Sequence, residues 1–178
     1  MPCLVLINGA PGSGKSTLAH LLAHERPMAL PIDIDVLKHS LGRWDAQPSV
    51  SGQHARTLCL ALAATHLGAG YDVVVGQYLA RTQFIEELQA AAKTHGARFC
   101  EFVLDVDAPT LAARLASRAA APDRPEHAVN NLLVSPSAAS RLIASLAPLR
   151  DLRPAAIWIG ARGGQDETLA NLRAVVDA

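Results

Sequence analysis

An α/β fold, with a parallel sheet between helices, is what this sequence predicts. Three observations lead there. Short apolar runs alternate with longer helix-period segments along the whole chain, and a glycine-rich turn joins the first apolar run to the first helical one. Val73-Val74-Val75 is wholly apolar, as a strand covered on both faces must be. With 178 residues, half of them apolar, the chain can bury one core of ordinary size, so residues 1–178 are expected to form a single domain. The formal net charge is zero, so no electrostatic footprint for nucleic acid or an acidic membrane surface is visible. Cys3, Cys59 and Cys100 are odd in number and lie in apolar runs. They read as buried reduced thiols rather than a disulfide framework, which fits a cytoplasmic protein. The first apolar run is too short for a signal-peptide core and no stretch approaches a membrane span.

The elements come in order along the chain. Cys3 to Ile7 is the expected first strand, and Lys15 to His24 the first helix, with Leu18, Leu21 and Leu22 on one face. A short strand around Met28 to Ile32 leads into Asp33-Ile34-Asp35, and Val36 to Leu41 reads as a brief helix. Gly42 to Gly52, which holds Trp44 and Pro48, reads as a loop. The next helix spans about Gln53 to Leu67 and is closed by Gly68 and Gly70. Val73 to Val75 is the third strand, Thr82 to His95 a helix ended by Gly96, and Arg98 to Leu104 the fourth strand. Pro109 to Arg118 is helical with proline in its first turn. Residues 119–127, with Pro122, Asp123 and Arg124, read as a short lid. Glu126 to Leu133 and Pro136 to Leu146 look helical, the latter with Ser135 as N-cap. Ala155 to Ile159 is the fifth strand and Glu167 to Val176 the closing helix.

Gly9-Ala10-Pro11-Gly12-Ser13-Gly14-Lys15-Ser16-Thr17 matches the Walker A pattern G-x-x-x-x-G-K-[ST] with nothing missing, in the required strand–loop–helix context. Glycines without Cβ let backbone N–H groups turn towards phosphates, and the following helix aims its positive end at them. Gly9, Gly12, Ser13, Gly14, Lys15, Ser16 and Thr17 are therefore the expected triphosphate-binding residues. Lys15 would neutralise the β- and γ-phosphates, and the Ser16 hydroxyl would ligate Mg²⁺. Only three lysines occur, Lys15, Lys38 and Lys93, so Lys15 is not part of a basic stretch.

Asp33 and Asp35 form the second feature. On an extended segment, residues i and i+2 point the same way, which would put both carboxylates at the carboxyl edge of the sheet, where ligands of open α/β sheets bind. One could serve the Mg²⁺ shell and the other accept a proton from an attacking hydroxyl. The plainer reading makes Asp35 an N-cap for the following helix and Asp33 a solvated loop residue. The third strand ends in Gly76-Gln77-Tyr78 with no carboxylate. This argues against a motor, a transporter ATPase or an ordinary GTPase, and favours an acidic group supplied after strand 2.

On these residues the chain resembles the small P-loop kinases of the nucleoside-monophosphate-kinase-like superfamily. The Asn8-Gly9 opening of the loop is similar to that of chloramphenicol phosphotransferase and of tunicamycin-resistance ATP-binding proteins, and gluconate and shikimate kinases are more distant relatives. The resemblance implies a P-loop three-layer sandwich with a five-stranded parallel sheet of order 2-3-1-4-5, and transfer of phosphate from ATP to a small acceptor. It implies Asp33 near Mg²⁺, Asp35 as substrate-binding general base, and Arg118 and Arg124 as lid arginines, with Arg114 able to share their task. Gln77, Tyr78 and Arg81 would face the acceptor, and the loop Gly160-Ala161-Arg162-Gly163-Gly164 would present backbone groups to adenine. Surface roles for Arg118 and Arg124, and a capped turn at residues 77–81, stand beside these roles.

The expected protein is thus a monomeric or homodimeric, ATP- and Mg²⁺-dependent phosphotransferase acting on a hydroxyl of a small molecule. An antibiotic or other natural product is the narrower expectation from the Asn8-Gly9 resemblance, with no nucleic-acid partner. The rivals are a nucleotide-dependent binding or sequestering protein without phosphoryl transfer, and a simple ATPase. Arginines to grip a second nucleotide are lacking between residues 35 and 75 beyond Arg43 and Arg56, which disfavours a nucleoside monophosphate as acceptor. Trp44 and Pro48 could line an apolar acceptor pocket, His54 and Arg56 on the third helix are weaker candidate substrate readers for which a helix-surface role is favoured, and His39 and His127 lack the spacing of a metal site.

Overall fold

The computed structural model describes residues 1–120 and 134–178. Its strands are β1 Cys3–Gly9, β2 Leu30–Ile32, β3 Val73–Gln77, β4 Arg98–Asp105 and β5 Ile157–Gly160. They form one parallel sheet in the order β2-β3-β1-β4-β5. The helices are α1 Lys15–His24, α2 Ile34–His39, α3 Pro48–Gly68, α4 Gln83–Thr94, α5 Ala108–Ala120, α6 Ala139–Leu146, α7 Leu149–Leu152 and α8 Gln165–Val176.

Register explains the core. Leu6 of β1 lies between Val75 of β3 and Glu101 of β4, and Ile7 between Gly76 and Phe102. Leu4, Val5, Leu6 and Ile7 are fully buried, so successive side chains on both faces of β1 are covered. Helices α1 and α8 pack on each other, as do α3 and α4, and members of both pairs touch the central strands. Each fully buried aliphatic side chain in this centre contributes about 1.5–3 kcal/mol relative to exposure, which makes β1 a rigid base for the turn that leaves it.

The boundaries differ from expectation for local reasons. β1 runs on to Gly9, because Asn8 and Gly9 still pair with Val103 and Leu104 of β4. Helix α3 begins at Pro48, well before Gln53. Proline fits the first helical position, where its missing N–H is not needed, and Ser51 Oγ donates to Trp44 O at 2.9 Å, tying the start of the helix to the 3-10 turn Trp44–Ala46. β5 starts at Ile157 because Ala156 N–H is spent on a turn to Arg153 O at 2.9 Å. The expected helix from Pro136 opens as a 3-10 turn, Pro136–Ala138, and Ser135 provides no side-chain cap. The expected helix at 126–133 and most of the expected lid, Arg124 included, lie outside the described residues.

Cys3, Cys59 and Cys100 are buried free thiols, as expected. Cys3 and Cys100 meet at 3.5 Å between sulfurs. The Cys3 S–H donating to Cys100 pulls the Cys100 thiol down and pushes the Cys3 thiol up, with Arg98 adding to the first effect. Away from the P-loop turn, Glu101 of β4 is buried and paired. Arg153 donates to Glu101 Oε2 from Nε at 2.9 Å and from Nη2 at 2.7 Å, and Nη2 also reaches Gln89 Oε1 at 2.7 Å. This links the loop before β5 to α4 through the sheet. Removing one partner of a buried pair leaves an uncompensated charge, so Arg153→Ala is expected to lower stability by about 3 kcal/mol, read from urea unfolding midpoints.

Candidate functional site

β1 delivers the chain into a tight turn from Ala10 to Gly14, and α1 begins at Lys15. Gly12 and Gly14 have φ of 88° and 96°, a left-handed conformation that side chains disfavour. Ser13 N–H bonds Ala10 O at 3.0 Å, closing the turn. The first turn of α1 carries no acidic residue and its N-cap, Gly14, has no side-chain bond, so no cap or first-turn side chain competes for its amide ends. A Cβ on Gly9 would meet Ser13 Oγ at 2.6 Å, so the loop closes over Gly9 with no side chain in the way. Ser13 Oγ itself is buried with no hydrogen-bond partner among the described residues. An orphaned hydroxyl in a glycine cradle at a helix N-terminus fits the oxygens of a phosphate chain. Ser16 and Thr17 sit in the first helical turn, both partly buried.

Asp33 and Asp35 depart from the expected geometry. β2 ends at Ile32, and Asp33, not Asp35, is the N-cap: its Oδ1 accepts from Asp35 N at 2.9 Å and Val36 N at 3.4 Å. Asp35 therefore stands in the first turn of α2 rather than on extended backbone. The pair still belongs to the loop, because both carboxylates act on Lys15. Burial lowers the Lys15 ammonium below its usual range, Asp35 and then Asp33 draw it back up, and Arg118 pushes it down again. Lys15, Asp33, Asp35 and Arg118, expected from separate stretches of sequence, thus share one electrostatic neighbourhood.

Three connections escape the sequence. Asn8 is fully buried, and its Nδ2 donates to Leu79 O at 2.8 Å while its Oδ1 accepts from Gly9 N at 2.8 Å and Leu79 N at 2.9 Å. One amide thereby clamps the start of the P-loop to the segment leaving β3. The only hint of it was a polar residue closing an apolar strand. Gly76 lets α1 lie close on β3, since a Cβ there would be 3.0 Å from Lys15 O and 3.2 Å from Ser16 Cα. Arg114 is engaged by main-chain carbonyls. Its guanidinium donates to Ser13 O at 3.3 Å, Ala161 O at 2.8 Å and Gly163 O at 3.5 Å, joining the P-loop to the loop after β5. Beside that joint opens a cavity of about 320 Å³ lined by Gly12, Ser13, Arg114, Gly163, Gln165 and Thr168.

On the far side of the clamp, Tyr78 and Arg81 line a cavity of about 540 Å³ between α3 and α4, and Arg56 joins them. Gln77 ends β3, partly buried and opposite Asn8, and is not among the residues lining the cavity. The Tyr78 hydroxyl is engaged with Ser145 Oγ of α6 at 2.7 Å, and Ser145 in turn donates to Leu142 O at 2.5 Å. Tyr78 therefore lends the cavity its ring rather than a free hydroxyl. Trp44 lines a separate space of about 670 Å³ with Arg43, Val50 and His54, and its ring is held by His39 at 4.2 Å and Lys38 at 4.9 Å. Pro48 starts α3 and is not a wall of that space. Among the described residues no cluster of three or more His, Cys, Asp or Glu could hold a metal. A magnesium ion needs no such cluster, since it is commonly bound by one or two protein groups together with substrate phosphates. No helix of the described residues is long and apolar enough to cross a membrane.

The model of a family described as an AAA domain matches residues 4–135. No curated protein matches the sequence. Among solved structures, a gluconokinase from Sinorhizobium meliloti 1021 is similar with a TM-score of 0.62 at 18% identity, over 99% of this chain and 96% of its own. The tunicamycin resistance protein of Deinococcus radiodurans gives 0.63 at 18% identity over 99% and 96%, respectively. A sugar kinase from Janibacter sp. HTCC2649 gives 0.63 at 16% identity over 99% and 95%. At these identities the likeness establishes the fold.

The Asn8 clamp can be tested directly. Asn8→Ala strands the N–H and C=O of Leu79 and the N–H of Gly9 in the interior. At about 1–3 kcal/mol per orphaned buried group, the variant is expected to lose several kcal/mol of stability in a urea titration.

Proposed function

The chain belongs to the AAA domain family, and with the fold of the small P-loop kinases as premise we propose that it moves the γ-phosphate of ATP to a hydroxyl of a small molecule. The observation that carries this reading is that Asp35, Asp33 and Arg118 all act electrostatically on Lys15 of the P-loop. Mere nucleotide binding has no use for two carboxylates beside the phosphate-binding lysine.

In this reading Gly9, Gly12, Ser13, Gly14 and Thr17 hold the triphosphate through the loop and the first turn of α1, and the base lies towards the cavity braced by Arg114. Ser16 Oγ would hold Mg²⁺, with Asp33 on the ion's water shell. Bound MgATP supplies the phosphoryl group and an ion that spreads its charge. Lys15 binds the phosphate oxygens. Asp35 is the general base that accepts the proton from the acceptor hydroxyl. Its position is fixed because its backbone N–H is held by the Asp33 carboxylate. Arg118 stabilises charge on the phosphate in transit, and Arg124 is proposed as its partner. Gln77, Tyr78 and Arg81 serve the acceptor side.

The gluconokinase and sugar kinase among the structural neighbours support a hydroxylated small molecule as acceptor. The tunicamycin resistance protein supports including antibiotics and other natural products. The end of β3 at Gly76-Gln77-Tyr78, without a carboxylate, favours as a second reading a protein that uses nucleotide to close over a ligand without transferring phosphate. We place the enzyme in the cytoplasm, as a monomer or homodimer.

The deciding experiment incubates protein and MgATP with a library of sugars, polyols, nucleosides and antibiotics, with mass detection of any acceptor that gains a phosphate. Asp35→Asn is expected to keep ATP affinity and lose about 10²–10⁴-fold in kcat, the worth of a general base. An indifferent Asp35→Asn variant with no phosphorylated product would favour the binding protein. Steady ATP turnover unaffected by any acceptor would favour a simple ATPase.

A further inference from the structure

We propose that Cys100 and Cys3 form a reversible oxidation site, at which a hydroperoxide oxidises Cys100 and Cys3 then closes a disulfide with it. The phosphotransferase reading has no use for either thiol. They lie at the end of the sheet opposite the P-loop, since Cys3 opens β1 and Gly9 ends it. Cys3 is in register with Arg98, and Val5 with Cys100, so the two cysteines are diagonal neighbours on adjacent strands with their side chains on one face. Their sulfurs are 3.5 Å apart, with the Cys3 S–H donating to Cys100. Reacting atoms held for attack stand at about 3–3.5 Å. Closure to a bond of about 2.0 Å requires the strands to shift. Because Cys3 is the first residue of β1, that shift falls on a strand end, where Cys3 N–H donates to Asp72 Oδ1 at 2.8 Å and Arg98 N–H to Pro2 O at 2.9 Å.

The surroundings decide which sulfur reacts first. A thiolate is the nucleophile, and an accessible, cationic setting favours it. Cys100 is 9% exposed, whereas Cys3 is 3% exposed and Cys59 has no exposed surface. The hydrogen bond from Cys3, then Arg98 and Arg26, hold the Cys100 thiol at about 7 against the opposing effects of burial and Asp72. Burial pushes the Cys59 thiol up to about 12. The two cations are fixed in place, Arg98 by donating to Val176 O and Arg26 by its pairs with Asp72 and Asp177. The Cys100 thiolate therefore attacks one oxygen of the peroxide. The O–O bond breaks, a sulfenic acid forms on Cys100, and the other oxygen leaves as water after taking a proton. Cys3 sulfur next attacks Cys100 sulfur, the S–O bond breaks, and the departing hydroxide takes the Cys3 proton. Two thiols are oxidised by two electrons in all, and one hydroperoxide is reduced. Thiol exchange reverses the bond, as befits a transient disulfide in a reducing compartment.

Mass spectrometry of the native protein treated with dilute hydrogen peroxide, with the remaining thiols alkylated before digestion, tests the inference. The intact chain is expected to lose two hydrogens, the peptides holding Cys3 and Cys100 to be joined, and Cys59 to be recovered alkylated. Dithiothreitol should restore all three thiols. Oxidation at Cys100 is expected to outpace that at Cys59 by more than about tenfold, as their difference in thiolate fraction implies. In Cys3→Ser, Cys100 should stop at the sulfenic acid, gain one oxygen and be trapped by dimedone. Equal rates at Cys100 and Cys59, a bond between two chains, or oxidation that needs added urea would each overturn the proposal. So would Cys100 passing to a sulfinic acid in the unaltered protein while Cys3 stays free. The mapping on the unaltered chain decides the matter even where Cys3→Ser fails to fold.

Discussion

The turn from β1 into α1 presents the first amides of the helix with no capping side chain among the described residues, and the surrounding structure holds that turn in place. Left-handed backbone at Gly12 and Gly14 bends the chain back on itself, and β1 has to be central and rigid to hold the turn in place. The same requirement reaches β3. With the carbonyl of Lys15 and the Cα of Ser16 only 3.0 Å and 3.2 Å from where a Cβ would stand, position 76 is crowded for any side chain, so glycine there lets α1 and β3 approach closely. The carboxylates that act on Lys15 come from the segment after the neighbouring strand, Asp33 and Asp35.

That arrangement also settles the charge balance. A desolvated ammonium is unfavourable unless compensated, and Arg118 adds to the load. Two carboxylates answer it, and they are not equivalent: Asp33 spends one oxygen on capping α2, whereas Asp35 rides on the first turn of that helix. A cap bond therefore does two jobs, starting a short helix and fixing the position of the residue proposed to take the proton. Preorganisation of this kind comes from backbone hydrogen bonds, so it does not depend on an occupied site.

Local chemistry made the P-loop, the order of elements and the Asp33/Asp35 pair legible from sequence, because each depends on residues close together in the chain. The sheet order 2-3-1-4-5 came through family resemblance and agrees with the strand pairing. The features that were not legible depend on distant contacts. Asn8 and Leu79 are 71 positions apart, and Arg114 and Ser13 are 101 apart. Nothing in the periodicity of α5 distinguishes an arginine that binds carbonyl oxygens from one that would face a phosphate. The start of helix α3 is not legible because a proline such as Pro48 suits a loop and the first turn of a helix equally well.

Asn8 gives the chain a natural seam. Its amide fastens the P-loop to Leu79 through main-chain atoms, so the fastening is indifferent to which side chain stands at position 79 and to the residues beyond it. The stretch from residue 80 into α4 can then drift, or be exchanged for that of another protein of the same architecture, while the P-loop half stays as it is. On the proposed phosphotransferase reading, descent with one fixed half and one variable half would let a single scaffold acquire new acceptors by small steps, each tested against an unaltered donor site.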